Sequence, residues 1–264
     1  MLSQISDILE KMQPITLDEM KKIRLMDRID SKFVAPVALL PLLLDEMQPY
    51  FRVQINDANQ KIAPYSTQYL DTPGLEMFVM HQNGKLNRQK IRIRSYTDSD
   101  ISFLEVKNKN NKGRTKKVRV PVGLTHVDSV DDLLDNADFL DENSIFDRVS
   151  LNPSLSNVFN RITFVNNKKT ERITIDFNLF FYNYKTKEDI SLNDIMILEL
   201  KQDGWQHSDF RDILLKLRVK KCSFSKYCMG LLYTDPGIKY NRFKRRPAKF
   251  DKIVNRYNND SNRL

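Results

Sequence analysis

Residues 88–120, RQKIRIRSYTDSDISFLEVKNKNNKGRTKKVRV, contain three arms of strict alternation. In the first, Lys90, Arg92 and Arg94 point one way and Ile91 and Ile93 the other. In the second, Phe103, Glu105, Lys107 and Lys109 oppose Leu104 and Val106. In the third, Lys117 and Arg119 oppose Val118 and Val120. A period of two marks strands with two unlike faces. The charged faces are nearly all cationic, and like charges opposite one another on neighbouring strands repel. Such a surface is either a solvated exterior or a collector of polyanions, and the rest of the chain bears on the choice.

The chain has 264 residues, 41% hydrophobic and 29% charged, enough for one large or two small domains with a true core and unlike a disordered chain. Only seven glycines argue against an all-β protein built on tight glycine turns. The net charge of +9 directs attention to acidic partners: nucleic acid, nucleotide, an inorganic phosphate chain or membrane headgroups. Cys222 and Cys228 fit neither a CxxC zinc site nor a disulfide framework, which implies a reduced, cytoplasmic setting. The N-terminus lacks the pattern of a signal peptide. The longest apolar run, residues 37–44, is broken by Pro41 and is too short to span a bilayer. The expectation is a chain with no transmembrane segment of its own.

Ile5, Ile8, Leu9 and Met12 form one helical stripe over residues 2–12. Thr16 and Glu19 are a capping box for a helix over 17–26. Residues 28–35 read as a strand with Arg28, Asp30 and Lys32 against Ile29 and Ser31, and Pro36 opens a helix to Met47. Residues 50–78 read mostly as strand, with a turn at Thr72-Pro73-Gly74 and a hairpin signal at Asn83-Gly84. The acidic residues 124–150 suit one or two surface helices. Strands return at 158–165, 172–176 and 195–201. A helix over 209–217 follows Ser208 as N-cap, and another runs from Ser225 to Tyr233. The basic tail, 239–264, is expected to be flexible.

The charged strand faces together hold Lys32, Lys90, Arg92, Arg94, Lys107, Lys109, Lys117, Arg119, Arg161, Arg172 and Lys201, with four acids, Asp30, Glu105, Asp176 and Glu199. One alternating basic strand is ordinarily a solvated face; its recurrence along the chain argues for more. If the strands close into an antiparallel barrel with helices packed outside, the apolar faces meet those helices and the charged faces line the lumen. That inverts the usual small barrel. Unpaired buried charges are costly, so the lumen would be wet and occupied by anions. Carboxylates in such a site hold Mg2+ or Mn2+ against phosphate oxygens, or orient arginines. Lys226 at a helix start, where the dipole disfavours a cation, also suits an anion. His81, His126 and His207 are scattered and form neither a metal cluster nor a triad. No Gly-rich phosphate loop is present.

Several segments succeed one another in a telling order: Arg28-x-Asp30-x-Lys32-Phe33, Tyr69-Leu70-Asp71-Thr72, Arg92-x-Arg94-x-Tyr96, Leu104-Glu105-Val106-Lys107 and Lys116-Lys117-Val118-Arg119. Asn160-Arg161, Arg172-Ile173-Thr174-Ile175-Asp176, Leu198-Glu199-Leu200-Lys201 and Phe224-Ser225-Lys226-Tyr227 complete the series. The series resembles the VTC-type polyphosphate polymerase catalytic domain, a branch of the triphosphate tunnel metalloenzyme superfamily. Asp30 stands where the family more commonly has glutamate. The resemblance implies an α+β fold, a closed antiparallel β-barrel tunnel with a basic lumen and helices packed outside. It implies a helical segment at 1–27, the catalytic domain at 28–235 and a basic tail at 236–264.

The activity implied is transfer of the terminal phosphate of ATP onto a polyphosphate chain, with Mn2+ (or Mg2+). Carried over residue by residue, Lys32, Arg92, Arg94, Lys107, Arg161 and Lys226 would be catalytic. Lys117, Arg119, Arg172 and Lys201 would bind phosphate, and Lys90 and Lys109, from the same charged strand faces, are assigned to phosphate with them. Glu199 would hold the metal, with Glu105 and Asp176 as helpers. Phosphoryl transfer needs positioning and charge stabilisation more than a protein nucleophile. The expected partners are ATP and inorganic polyphosphate, with a membrane protein as a further partner and no specific nucleic acid. The aromatics are not expected to interleave with the basic positions as base-stacking platforms do. A tunnel-type triphosphatase and a non-catalytic polyphosphate- or nucleotide-binding module are the alternatives.

Overall fold

The computed structural model describes residues 2–23, 25, 28–98, 100–123 and 125–261. In chain order its elements are α1 (Leu2–Lys11), β1 (Pro14–Thr16), α2 (Leu17–Lys22), β2 (Arg28–Pro36), α3 (Leu40–Met47), β3 (Phe51–Ile55), β4 (Ala63–Asp71) and α4 (Glu76–Gln82). The three alternating arms become β5 (Arg88–Tyr96), β6 (Ile101–Lys109) and β7 (Thr115–Val122). Next come α5 (Ala137–Asn143), β8 (Asn152–Asn166), β9 (Glu171–Asn183), β10 (Asp189–Leu192), β11 (Ile195–Asp203), α6 (Asp209–Lys216), α7 (Lys226–Thr234) and α8 (Arg246–Ser261).

All eleven strands join one sheet. Its main path runs β2-β11-β9-β8-β4-β5-β6-β7, with β10 beside β9 and β3 beside β8. The main-path pairings are antiparallel, but β1 joins β3 in parallel. The sheet is not closed, so the expected closed barrel is not formed. The end strands β2 and β7 are not hydrogen-bonded to each other. The free side of β2 is taken instead by the segment before α7: the Cys222 N–H donates to the Lys32 carbonyl at 2.9 Å, and Phe33 bridges to Lys221. Lys107 of β6 nonetheless lies close enough to Lys32 and Glu199, on β2 and β11, to feel their charge, so the sheet bends its charged face toward itself.

The apolar faces of the strands are buried as the alternation requires. On the convex side Phe33, Leu198, Leu200, Ile173, Ile175, Ile162 and Phe164 pack against α1, α3 and α6 in one core. Ile91, Ile93, Leu104 and Val106 form a second with Leu133 and Leu140. Burying each such side chain contributes about 1.5–3 kcal/mol. The capping box at α2 forms as its sequence predicts: the Thr16 hydroxyl accepts from the Glu19 N–H at 3.3 Å and the Glu19 carboxylate accepts from the Thr16 N–H at 2.9 Å. The helix ends at Lys22, and residues 24, 26 and 27 lie outside the described residues.

Three expectations are corrected. Not every helix packs outside: α7 lies on the charged, concave side, where Tyr227, Leu231 and Met229 join Val34, Ile197, Leu155 and Phe159 in a further core. Gly230 permits this approach, since a Cβ there would stand 2.4 Å from Leu155 Cδ2 and 2.6 Å from Phe181 Cδ1. Residues 76–78, read as strand, instead open a helix over 76–82, and Asn83-Gly84 terminates that helix instead of turning a hairpin. The tail contains a docked helix, α8, whose Phe250 is buried.

Candidate functional site

Strand register sets which charges meet. Residues directly opposite on antiparallel neighbours share a face. Arg92 stands opposite Glu105, Arg161 opposite Asp176, and Lys32 opposite Glu199. Each pair becomes the centre of an ion-pair cluster on the concave side. Arg92 donates to Glu105 from Nε at 2.8 Å and from an Nη at 2.6 Å, and Lys117 reaches the other carboxylate oxygen at 2.9 Å. Arg161 grips Asp176 in a fork, Nε at 2.5 Å and Nη at 2.7 Å, and Lys226 of α7 reaches the same carboxylate. Glu199 takes Lys32 at 3.2 Å and Lys201 at 2.8 Å.

The energetics follow from burial. The Glu105 and Asp176 side chains are 1% and 5% exposed. Burial alone would raise both carboxyls. For Glu105 it is outweighed by Arg92, Arg94 and Lys117, which hold it down to about 2. For Asp176 it is outweighed by Arg161 and Lys226, which hold it well below the usual range. Burial likewise opposes the Glu199 charge, and Lys201 and Lys32 prevail. Arg161 already compensates Asp176, so Lys226 gains less from that carboxylate than burial costs it, and its pKa is pushed down.

A second group of cations has no such partner. Among the described residues, Lys90, Arg94 and Lys107 form no ion pair within 4.0 Å. Burial, with Arg92 and other cations nearby, pushes Lys90 down to about 8. Burial first and then Arg92 does the same for Lys107, also to about 8. Lys107 is accessible to solvent yet flanked by protein, as a side chain in a wetted concavity is. Burial and then Arg92 and Arg161 lower Arg94 to about 10, and its buried Nε lacks a hydrogen-bond partner.

The start of α7 completes the concavity. Ser225 caps the helix, accepting from the Cys228 N–H at 3.3 Å, and its hydroxyl also accepts from Lys90 Nζ at 2.9 Å. Tyr227, fully buried, donates its hydroxyl to Asp71. Asp71 in turn accepts from the N–H groups of Thr72, Met77 and Phe78 at 2.8–3.1 Å, tying the start of α4 to α7.

Of the residues singled out from sequence, Lys32, Lys90, Arg92, Arg94, Glu105, Lys107, Lys117, Arg161, Asp176, Glu199, Lys201 and Lys226 gather on this concave face. Three do not join its clusters. Arg172 turns away to the Met20 carbonyl at 3.0 Å. Arg119 is exposed, with its guanidinium 4.2 Å from the Phe103 ring centre. Lys109 lies beyond Lys107 toward the end of β6, within electrostatic reach of His81. The proposed metal ligands are not brought together: Glu105, Asp176 and Glu199 each sit in a separate cluster. Among the described residues no three His, Cys, Asp or Glu side chains are placed to hold a metal ion. The residues present therefore do not fit a metal site built from those three carboxylates.

The aromatic residues differ from expectation as well. Phe159, Tyr65, Tyr96 and Phe103 run across β8, β4, β5 and β6 with ring centres 5.4, 5.0 and 6.2 Å apart. Arg161 lies 4.8 Å and Arg94 5.8 Å from the Tyr65 ring, so aromatics and arginines do interleave on this face. The signal is in the alternation itself: Tyr96 follows Arg94 by two residues, and Phe159 precedes Arg161 by two. Asp71 and Tyr227 stand in the sequence motifs without a role, because their contact joins residues 156 positions apart.

The sequence pattern of the VTC domain matches residues 27–234. The chain belongs to the VTC domain family. No curated protein matches it. Among solved structures, a putative adenylyl cyclase from Hippeastrum, described as having a dominant triphosphatase activity, is 13% identical, covering 81% of this chain and 99% of its own at a TM-score of 0.47. A putative adenylate cyclase from Bacillus halodurans is 13% identical, covering 76% and 96% at 0.46. The PH1819 protein of Pyrococcus horikoshii is 15% identical, covering 78% and 98% at 0.42. The family match places the VTC stretch of this chain between β2 and the end of α7. Within the described residues, no helix is long and apolar enough to cross a membrane.

Proposed function

We propose that this VTC family protein is a triphosphate tunnel enzyme that works as an ATP-dependent polyphosphate polymerase, transferring the terminal phosphate of ATP to the end of a polyphosphate chain. The observation that carries this reading is the set of unpaired cations, Lys90, Arg94 and Lys107, held inside a concavity whose other cations are already neutralised by Glu105, Asp176 and Glu199. The half-buried Lys90 and Arg94 and the solvent-facing Lys107, with no carboxylate partner, are stabilised by an anion, and phosphate groups supply one with several acceptor oxygens.

Attack on the ATP phosphorus by a chain-end oxygen, with ADP leaving, forms one P–O bond and breaks another. The attacking oxygen is already anionic, so no proton need be removed. That suits a site whose carboxylates are all held ionised in ion pairs and whose chief work is positioning and charge neutralisation. Arg92, Arg161 and Lys226 are braced by carboxylates and define the walls; Arg94, Lys90 and Lys107 grip the triphosphate. A divalent ion enters this reading only as the metal complex of the nucleotide.

Hydrolysis by the same concavity is the second reading. It is favoured by one observation: burial pushes Lys226, which donates to Asp176 in the wall, down to about 7, so this group can exchange a proton near neutral pH. Purified protein incubated with ATP and Mn2+ separates the two. Polymer resolved by gel supports polymerisation, free phosphate alone supports hydrolysis, and neither product with retained phosphate binding rejects both enzymatic readings.

A further inference from the structure

The C-terminal segment beyond the VTC match has its own charge pattern. Residues 235–264 carry nine Lys and Arg against three Asp, so they hold +6 of the net +9 of the chain. In isolation that composition suggests a solvated, mobile tail. The structure instead packs it: Phe250 is 2% exposed and lies 5.1 Å from Phe224, and Ile253 and Val254 join the same core. Tyr257 packs against the convex core. With one face of α8 fixed to the protein, its exposed face is displayed in a set direction.

That face is cationic. Arg245 precedes α8, and its carbonyl accepts the Lys249 N–H at 3.2 Å, so it is in phase with the helix. Arg245, Lys249, Lys252 and Arg256 succeed one another at spacings of four, three and four, and all are exposed. Such spacing sets side chains in one row. At 1.5 Å per residue the row is roughly 16 Å long. Asp251 lies off the row, beside Ser191 and Tyr233.

The row begins where the concave site ends. Arg246 donates to the Ser223 carbonyl at 2.7 Å and to its hydroxyl at 3.0 Å. Ser223 is two residues from Ser225, which holds Lys90 of the concavity. Arg242 donates to the Asn83 carbonyl, and Arg88 to the Lys85 carbonyl at 2.9 Å, on the same side of the molecule. Lys90, Arg88, Arg246 and Lys109 all bear electrostatically on the half-buried His81. Lys90 of the concave face, Arg88 and Arg246 at the start of α8 thus lie in one electrostatic neighbourhood.

We propose that the exposed face of α8, with Arg245, Lys249, Lys252 and Arg256, is a track that binds the emerging polyphosphate chain and continues the concave site onto the surface. This rests on the proposed function, in which long polyphosphate is a ligand. A long, flexible polyanion matches an evenly spaced row of cations on a rigid rod, and its affinity follows the release of counterions. An anionic membrane is the poorer fit, because a helix that lies on a bilayer inserts its apolar face and the apolar face of α8 is buried in the protein.

The test uses the full chain and the fourfold variant R245Q/K249Q/K252Q/R256Q. All four side chains are exposed, so the variant should fold, which its thermal melt checks. Tripolyphosphate, which the proposed function assigns to the concave face, should bind both proteins within about twofold. Long-chain polyphosphate should bind the variant at least about tenfold more weakly, with a salt slope smaller by about three. Equal long-chain affinity in both proteins overturns the track. So does loss of binding to phosphatidylserine vesicles with long-chain binding intact, which would assign the row to a lipid surface. A failed polymerisation assay alongside intact chain-length discrimination would remove the proposed function and leave the track standing.

Discussion

Two groups of cations share the concave face and have opposite fates. Arg92, Arg161, Lys32, Lys117 and Lys201 each bond to a carboxylate one strand away or on their own strand. Lys90, Arg94 and Lys107 do not, and burial lowers all three. The first group belongs to the wall: removing either partner leaves a buried charge uncompensated. The second is held at a cost that folding alone does not recover, which is how a binding site stores affinity for an anion. Stability and binding should therefore separate cleanly between variants of the two groups.

The largest separation is expected from the double variant Arg94→Ala/Lys107→Ala. Charge-assisted contacts to phosphate contribute about 1.5–3 kcal/mol each, so tripolyphosphate affinity should fall by roughly a hundredfold or more in calorimetry. The melting temperature of the free protein should hold or rise. A fall in both quantities would put these residues in the wall. Glu105→Ala is the mirror experiment. It strands Arg92 and Lys117, and loss of a buried partner costs about 3–5 kcal/mol. Tripolyphosphate should recover more of the melting temperature in this variant than in the wild type, since it supplies the missing negative charge. No extra recovery would argue that the anion binds away from Arg92.

The pH dependence is smaller and has a definite sign. Lys90 and Lys107 have pKa values lowered to about 8 in the folded protein, from the usual 10.5. Between those values the unfolded chain binds more protons than the folded one, so stability from these two groups rises as pH increases through 8 toward 10.5. Phosphate affinity should move the other way, weakening severalfold over the same interval as the lysines lose their protons. Parallel melts and titrations between pH 7 and 9.5 check both directions. Affinity that rises with pH would contradict the assignment of these lysines to the phosphate.

The same contrast explains how much is legible in the sequence. The arms β5, β6 and β7 are legible because alternation is a local property, and the cationic face follows from it. Which cation is neutralised is not legible. It depends on register, and the meeting of Arg161 with Asp176 is set by strand pairing between β8 and β9 rather than by either strand alone. Closure is not legible either, because the free edge of β2 is taken by Cys222, nearly two hundred residues away. Residues 76–78 pass for strand because a helix of seven residues, 76–82, is too short to reveal a helical period. In α8 the stripe of Phe250, Ile253, Val254 and Tyr257 is obscured by the surrounding basic residues. Asp71 and Tyr227 are visible in motifs, yet only the packed structure joins them.

The central claim is that phosphate occupies the space between Lys90, Arg94 and Lys107. A crystal structure of the complex with tripolyphosphate measures this directly. Phosphate oxygens should lie at hydrogen-bond distance from those three side chains, with the Arg92–Glu105 and Arg161–Asp176 pairs intact beside them. Phosphate bound elsewhere, with Lys90, Arg94 and Lys107 facing only water, would contradict it.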